Sequence, residues 1–161
     1  MTIINFLIGL PAMLLCLIVQ VAVAFWSVRY FVRQSVNSPV PRGFLAGIRP
    51  LLVAMLIMML GNLAQIALWA ILFVWLGEFV ELYEAVYHSA VNFASLGYGD
   101  IVMSKNWKLL GPLEAVNGVL MLGMTAAALM AIVQQLIKVQ REALVPPEQA
   151  ASRRDDTGHQ S

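Results

Sequence analysis

Between two long apolar runs the chain reads Leu82-Tyr83-Glu84-Ala85-Val86-Tyr87-His88-Ser89-Ala90-Val91-Asn92-Phe93-Ala94, then at once Ser95-Leu96-Gly97-Tyr98-Gly99-Asp100. The first 13 residues are moderately apolar and too few to cross a bilayer. A hydrocarbon core of about 30 Å takes roughly 20 residues of helix. Their length fits a helix that enters the membrane and turns back. Glu78, Glu81 and Glu84 stand at its N-terminal end, where carboxylates complement the helix dipole. The hexamer that follows sets two glycines around one tyrosine, which opens backbone angles closed to other residues. Non-helical backbone at membrane depth is tolerated where it is buried in protein or lines a water-filled path. The stretch therefore predicts a re-entrant half-helix over 82–94 and an irregular loop over 95–100.

The surrounding sequence supplies the membrane. Ile3 to Val28 is 26 residues without a charge, Leu51 to Gly77 is 27, and Ala115 to Ile137 is 23. Each is long enough to span with some tilt. The runs are continuous rather than alternating, which excludes a transmembrane barrel. Of the 161 residues 60% are hydrophobic and 12% charged, against about 25% charged in a soluble domain. With a mean hydropathy of +0.79, this excludes a soluble globular chain and a disordered one. A net charge of +1 without a basic cluster excludes a nucleic-acid binder. Cys16 alone cannot build a disulfide framework or a cysteine metal site. No basic residue precedes Arg29, so the first run is expected to be a span and not a cleaved signal peptide.

The reading is an all-α membrane protein of three transmembrane helices, with a re-entrant helix and loop between the second and third. A helix over 1–28 lies at the periphery, against the second helix, and 29–50 is a cytoplasmic linker whose turn is Ser38-Pro39-Val40-Pro41-Arg42-Gly43. Residues 51–140 hold an outer helix over 51–77, the half-helix over 82–94, the loop over 95–100 and an inner helix over 112–140. Pro50 and Pro112 mark helix starts, and Gly77 can close the second helix. The tail over 141–161 carries no apolar periodicity from Pro146 and is expected to be disordered. Arg29, Arg33, Arg42 and Arg49 in the linker, with Lys138, Arg141, Arg153 and Arg154 in the tail, face only Lys105 and Lys108 in the 78–114 connection. The positive-inside rule then places the C-terminus in the cytoplasm and the N-terminus outside, in a cell (inner) membrane. The outer connection, with Glu78, Glu81, Glu84, Asp100 and Glu114, is net negative.

A half-helix, then hydroxyl-aliphatic-Gly-Tyr-Gly-Asp, then a glycine-bearing span resembles the pore module of potassium channels, from about Glu78 to Gln140. That resemblance implies a selectivity filter in which the backbone carbonyls of Ser95, Leu96, Gly97 and Tyr98, stacked as rings from four chains, replace the hydration shell of K+. Gly99 closes the filter, and Tyr98 is expected to turn away from the ion path. Ser95 stands at the family's threonine position, and its hydroxyl is expected to add the innermost ligand. Leu96 replaces valine or isoleucine. Val91 stands where some members carry a buried acid. Tyr87 and His88 stand where many carry two tryptophans. At the family's spacing Asp100 should accept a hydrogen bond from Tyr87, with His88 as second choice. Gly118 and Gly123 resemble the family's inner-helix glycines. Gly118, Leu122, Ala126 and Met130 form an i, i+4 stripe that is expected to line an inner cavity or simply to pack helices.

Other residues take plainer readings. Gln20, Asn62 and Gln65 are expected to make interhelical hydrogen bonds. Trp26, Trp69, Trp75 and Trp107 read as interfacial anchors. His88 and Ser95 lack the partners of a hydrolytic site, so no enzyme is expected. The arginines do not recur every third residue within a span, so no voltage sensor is expected. The sequence predicts a homotetramer in a lipid bilayer, with K+ as permeant ion, no cofactor, no nucleic acid and no small-molecule substrate. The expected function is a passive potassium-selective channel. A weakly selective cation channel and a non-conducting scaffold or subunit with the same pore fold remain as alternatives.

Overall fold

A computed structural model describes residues 2–37 and 44–144, so the linker turn over 38–43 and the tail from 145 lie outside the described residues. The elements are α1 (Thr2–Asn37), α2 (Phe44–Trp75), α3 (Leu82–Phe93) and α4 (Leu110–Leu144). Three of them hold stretches long and apolar enough to cross a membrane: Thr2–Gln34, Ile48–Trp75 and Leu110–Lys138.

The long helices outrun the uncharged stretches that predict them. α1 continues through Arg29 and Arg33, and α2 already runs at Phe44, so most of the expected 29–50 linker is helix. Arginine is a good helix former, and charge ends an apolar run without ending a helix. Pro50 lies inside α2 rather than at its start. α4 begins at Leu110 and so takes in Pro112, whose missing N–H falls among the first-turn donors that have no intrahelical partner. Pro11 lies inside α1.

α2 stops where glycine lets it. Gly77 has φ 75°. Its N–H donates to Val74 O at 3.0 Å, and the Glu78 N–H donates to Phe73 O at 3.1 Å. This pair of bonds is the Schellman closure. Glu78 then accepts from the Ser104 N–H at 2.8 Å and from the Ser104 hydroxyl at 2.5 Å, which fastens the outer connection across the top of α3.

α3 packs between α2 and α4, and α1 packs on both α2 and α4. α1 is thus not a peripheral helix resting on α2 alone. Gln20 donates to Met121 O at 3.3 Å and Thr125 Oγ1 at 2.8 Å on α4, and accepts from Gln65 Nε2 at 2.7 Å on α2. Asn62 donates to Thr125 Oγ1 at 3.2 Å. Three spans therefore share one buried amide–hydroxyl knot, with bonds worth about 1 kcal/mol each in a membrane. Asn5 donates to Asn106 O at 2.7 Å, so the start of α1 lies at the same end as the outer connection. Ser27 donates to Ala54 O at 3.1 Å near the opposite end.

The main core sits at the end of the bundle that holds α3. Cys16, Trp69, Phe73, Phe79, Ala85, Met103 and Leu110 form one buried cluster. Trp69 is 0% exposed, which corrects its reading as an interfacial anchor: its position on α2 faces α1 and α3. A smaller cluster of Phe31, Ala54 and Ile132 closes the other end.

Candidate functional site

The end of α3 and the hexamer after it form the site. α3 finishes as α2 does: the Ser95 N–H donates to Asn92 O at 2.8 Å and the Leu96 N–H to Val91 O at 2.9 Å. Here the left-handed position falls on a serine, Ser95, with φ 56°. Gly97 follows at φ 58° and Gly99 at φ 74°, while Leu96 and Tyr98 keep negative φ. The sign of φ thus alternates over five residues. Alternating right- and left-handed backbone is the pattern that can set N–H groups on one side of a segment and carbonyl oxygens on the other. Glycine makes two of the three left-handed positions inexpensive.

In the single chain this segment is bare. Residues 94–100 are all exposed, with Leu96 at 55% and Tyr98 at 65%. The Ser95 hydroxyl donates to Ala115 O at 3.4 Å on α4, a long contact.

Behind the bare segment lies a closed set of hydrogen bonds. The Tyr87 hydroxyl donates to Asp100 Oδ2 at 2.6 Å. This bond holds the Asp100 carboxyl below its ordinary titration range and the Tyr87 phenol above its own. His88, the second choice for Asp100, is engaged elsewhere. Asn92 Nδ2 donates to His88 Nε2 at 2.9 Å. The His88 ring lies edge-on to Phe73 and tilted against Phe79, with centroids 5.7 and 5.2 Å away. Burial among these rings lowers its affinity for a proton.

The sequence reading misses the deepest member of this set. Glu114, assigned to the net-negative outer connection, is 0% exposed and stands in the first turns of α4. Its Oε1 is hydrogen-bonded to the Ser89 hydroxyl, and its Oε2 accepts from Asn92 Nδ2 at 3.4 Å. Ser89 also donates to Ile66 O at 2.8 Å on α2. Val91 stands on α3 where some members of the resembled family carry a buried acid; in this chain the buried acid behind the segment is Glu114 on α4. The signal was a carboxylate two residues after Pro112, inside a helix start rather than in a loop. A chain of partners thus runs from His88 through Asn92, Glu114 and Ser89 to Ile66, joining α3, α4 and α2.

The expected cavity stripe divides. Leu122, Ala126 and Met130 are exposed on one face of α4. Gly118 is buried, and a Cβ there would stand on the Phe93 carbonyl, 2.7 Å from its carbon. Gly118 is therefore a contact glycine beneath the end of α3 and not part of the open stripe. Gly123 has open space where its Cβ would be. Among the described residues no cluster of His, Cys, Asp or Glu could hold a metal ion.

Residues 62–135 match the family model described as ion channel. They take in half of α2, all of α3, the hexamer and most of α4. The match supports an ion-channel pore module for this segment, and the three apolar helices support a multi-pass membrane protein. No curated protein and no solved structure matches the chain.

Proposed function

We propose that this ion-channel segment is one quarter of a homotetrameric, potassium-preferring pore, passive and without cofactor, whose filter is Ser95-Leu96-Gly97-Tyr98-Gly99. The observation that carries the reading is the alternating sign of φ from Ser95 to Gly99, set at the end of a short helix between two spans. In this reading the carbonyls of Ser95, Leu96, Gly97 and Tyr98 face the pore axis and are the ligand set for a dehydrated cation. The C-terminal end of α3, with its partial negative charge, favours cations at the same place.

One segment per chain makes a quarter of a ring, so four copies close it around a fourfold axis. The bare 94–100 segment and the open face of Leu122, Ala126 and Met130 are the surfaces such copies would cover. An uncovered filter backbone in lipid would leave its polar groups unpaired. The excess of arginine at the other end supports a cytoplasmic C-terminus and an N-terminus outside.

A weakly selective cation pore is the second reading, and one contact favours it. The Ser95 hydroxyl turned toward Ala115 O would leave the innermost ion site short of a ligand. Flux of K+ against Na+ in proteoliposomes separates the two readings. Gly97→Ala tests both: a β-carbon at φ 58° is strained, and conduction should be lost. If Gly97→Ala conducts like the parent, the hexamer is not the filter.

A further inference from the structure

The outward face of α1 carries two grooves that run into each other. Leu17, Ile18, Val21 and Ala22 line an apolar one of about 480 Å³, which ends at Phe25 and Trp26. The same two aromatic residues open the next, of about 570 Å³, which continues past Arg29 and Tyr30 to Arg33. Phe25 is 59% exposed and Trp26 73%. Arg29 and Arg33 are exposed too, and lie one turn apart on the same face. The Arg29 guanidinium sits 5.9 Å from the centre of the Phe25 ring.

Depth and charge decide what fits. The uncharged run from Ile3 to Val28 has 26 residues, about 39 Å of helix. That covers the hydrocarbon and brings Arg29 and Arg33 out at the level of lipid headgroups. Glu78, Glu81, Glu84 and Asp100 belong to the outer connection at the opposite end, and Glu114 is buried against α3. Among the described side chains no carboxylate faces the two guanidiniums.

The geometry points to a site for one anionic phospholipid on α1, with its phosphate between Arg29 and Arg33 and an acyl chain in the Leu17–Ala22 groove. Arginine matches phosphate oxygens in a planar, bidentate way, and the Arg29 guanidinium lies within cation–π range of Phe25. Two cations without a counter-charge accept an anionic headgroup and repel the cationic half of a zwitterionic one. α1 lies outside the ion-channel match, and the inference does not depend on what the pore conducts.

The test is native mass spectrometry of the full-length protein, loaded with equal amounts of phosphatidylglycerol and phosphatidylcholine. The parent should retain phosphatidylglycerol in excess. Two interfacial arginines contribute about thirty-fold, so Arg29→Gln with Arg33→Gln should bring the preference close to one. Arg49→Gln, an exposed arginine outside the groove, should keep the parent's preference. Ala22→Phe, which fills the apolar groove without touching charge, should weaken retention of both lipids. Four results would each overturn the site: no preference in the parent, an unchanged preference in the double variant, an equal loss in Arg49→Gln, or competition by inorganic phosphate alone. Disulfide cross-linking of Trp26→Cys between copies in a lipid-filled membrane would overturn it as well, because a second chain would then occupy the groove.

Discussion

Replacing Gly118 by alanine adds one methyl group at the tightest helix contact of the site. The new Cβ would stand on the Phe93 carbonyl oxygen, 2.7 Å from its carbon and 2.8 Å from its Cα. Carbon atoms in contact sit at about 3.5–4.0 Å, so α3 and α4 must part by at least about 0.8 Å. The obstacle is backbone, and no rotamer change can clear it. Overpacking of this kind costs about 1–3 kcal/mol, with backbone contacts at the upper end. The better helix propensity of alanine returns about 1 kcal/mol. The net of about 2 kcal/mol is roughly thirty-fold between parent and displaced arrangements. Phe93 is two residues before Ser95, so the displacement is passed directly to the hexamer. Gly123→Ala is the internal control, since its Cβ meets nothing within 4 Å; it should be neutral or slightly stabilising. K+ flux in proteoliposomes and thermal unfolding in detergent should both fall for Gly118→Ala and stay at parent level for Gly123→Ala. If Gly118→Ala matches the parent while Gly123→Ala fails, Gly123 is the critical glycine and the contact under Phe93 is not what holds the loop.

Glu114→Ala removes the acceptor of one of the two Asn92 amide hydrogens, the other staying on His88, and leaves a void beside Ser89; a buried donor left unpaired costs about 1–3 kcal/mol. Glu114→Gln keeps an acceptor toward Asn92 and offers a donor toward Ser89, freeing the single Ser89 proton for Ile66. Thermal unfolding should therefore rank parent and Gln well above Ala, and equal losses in both variants would count against the hydrogen-bonded chain. Tyr87→Phe removes the bond that depresses the Asp100 carboxyl, so Asp100 should titrate at higher pH in flux measurements, with assembly intact; an unchanged titration would dismiss the pair as a support. His88 binds protons less readily in the folded chain than as free imidazole, because it is buried. Its contribution to stability is complete above the ordinary imidazole pKa and is lost as pH falls through the lower folded value. Melting temperature should drop on acidification below neutral pH, and the part of that slope due to His88 should vanish in His88→Phe; a slope identical in both would assign it elsewhere.

The membrane class, the three spans, the short helix and the glycine-flanked tyrosine could all be read from residue order. Each depends on local properties: apolar run length against bilayer thickness, and the backbone freedom of Gly97 and Gly99. The pairing of Tyr87 with Asp100 was also legible, because a 13-residue spacing came with a resemblance. Gln20, Asn62 and Gln65 announced themselves as polar groups in lipid, which must find partners, but not which ones. That α1 joins both α2 and α4 through Gln20 depends on how three helices meet.

Other outcomes were decided by tertiary structure alone. Burial is a property of neighbours brought together by folding. Glu114 sits in sequence at the margin of an acidic loop, yet α4 begins four residues earlier and turns it inward onto Ser89 and Asn92. Trp69 and Trp75 lie at the same end of α2, but one faces the core and the other the surroundings. Gly118 and Gly123 look alike in a pattern of helical glycines, and the C-terminus of α3 lies against one and not the other. Run length and backbone freedom are fixed by the residues themselves. Which face of a helix meets another is set by the crossing of whole elements, which sums contacts far apart in the chain.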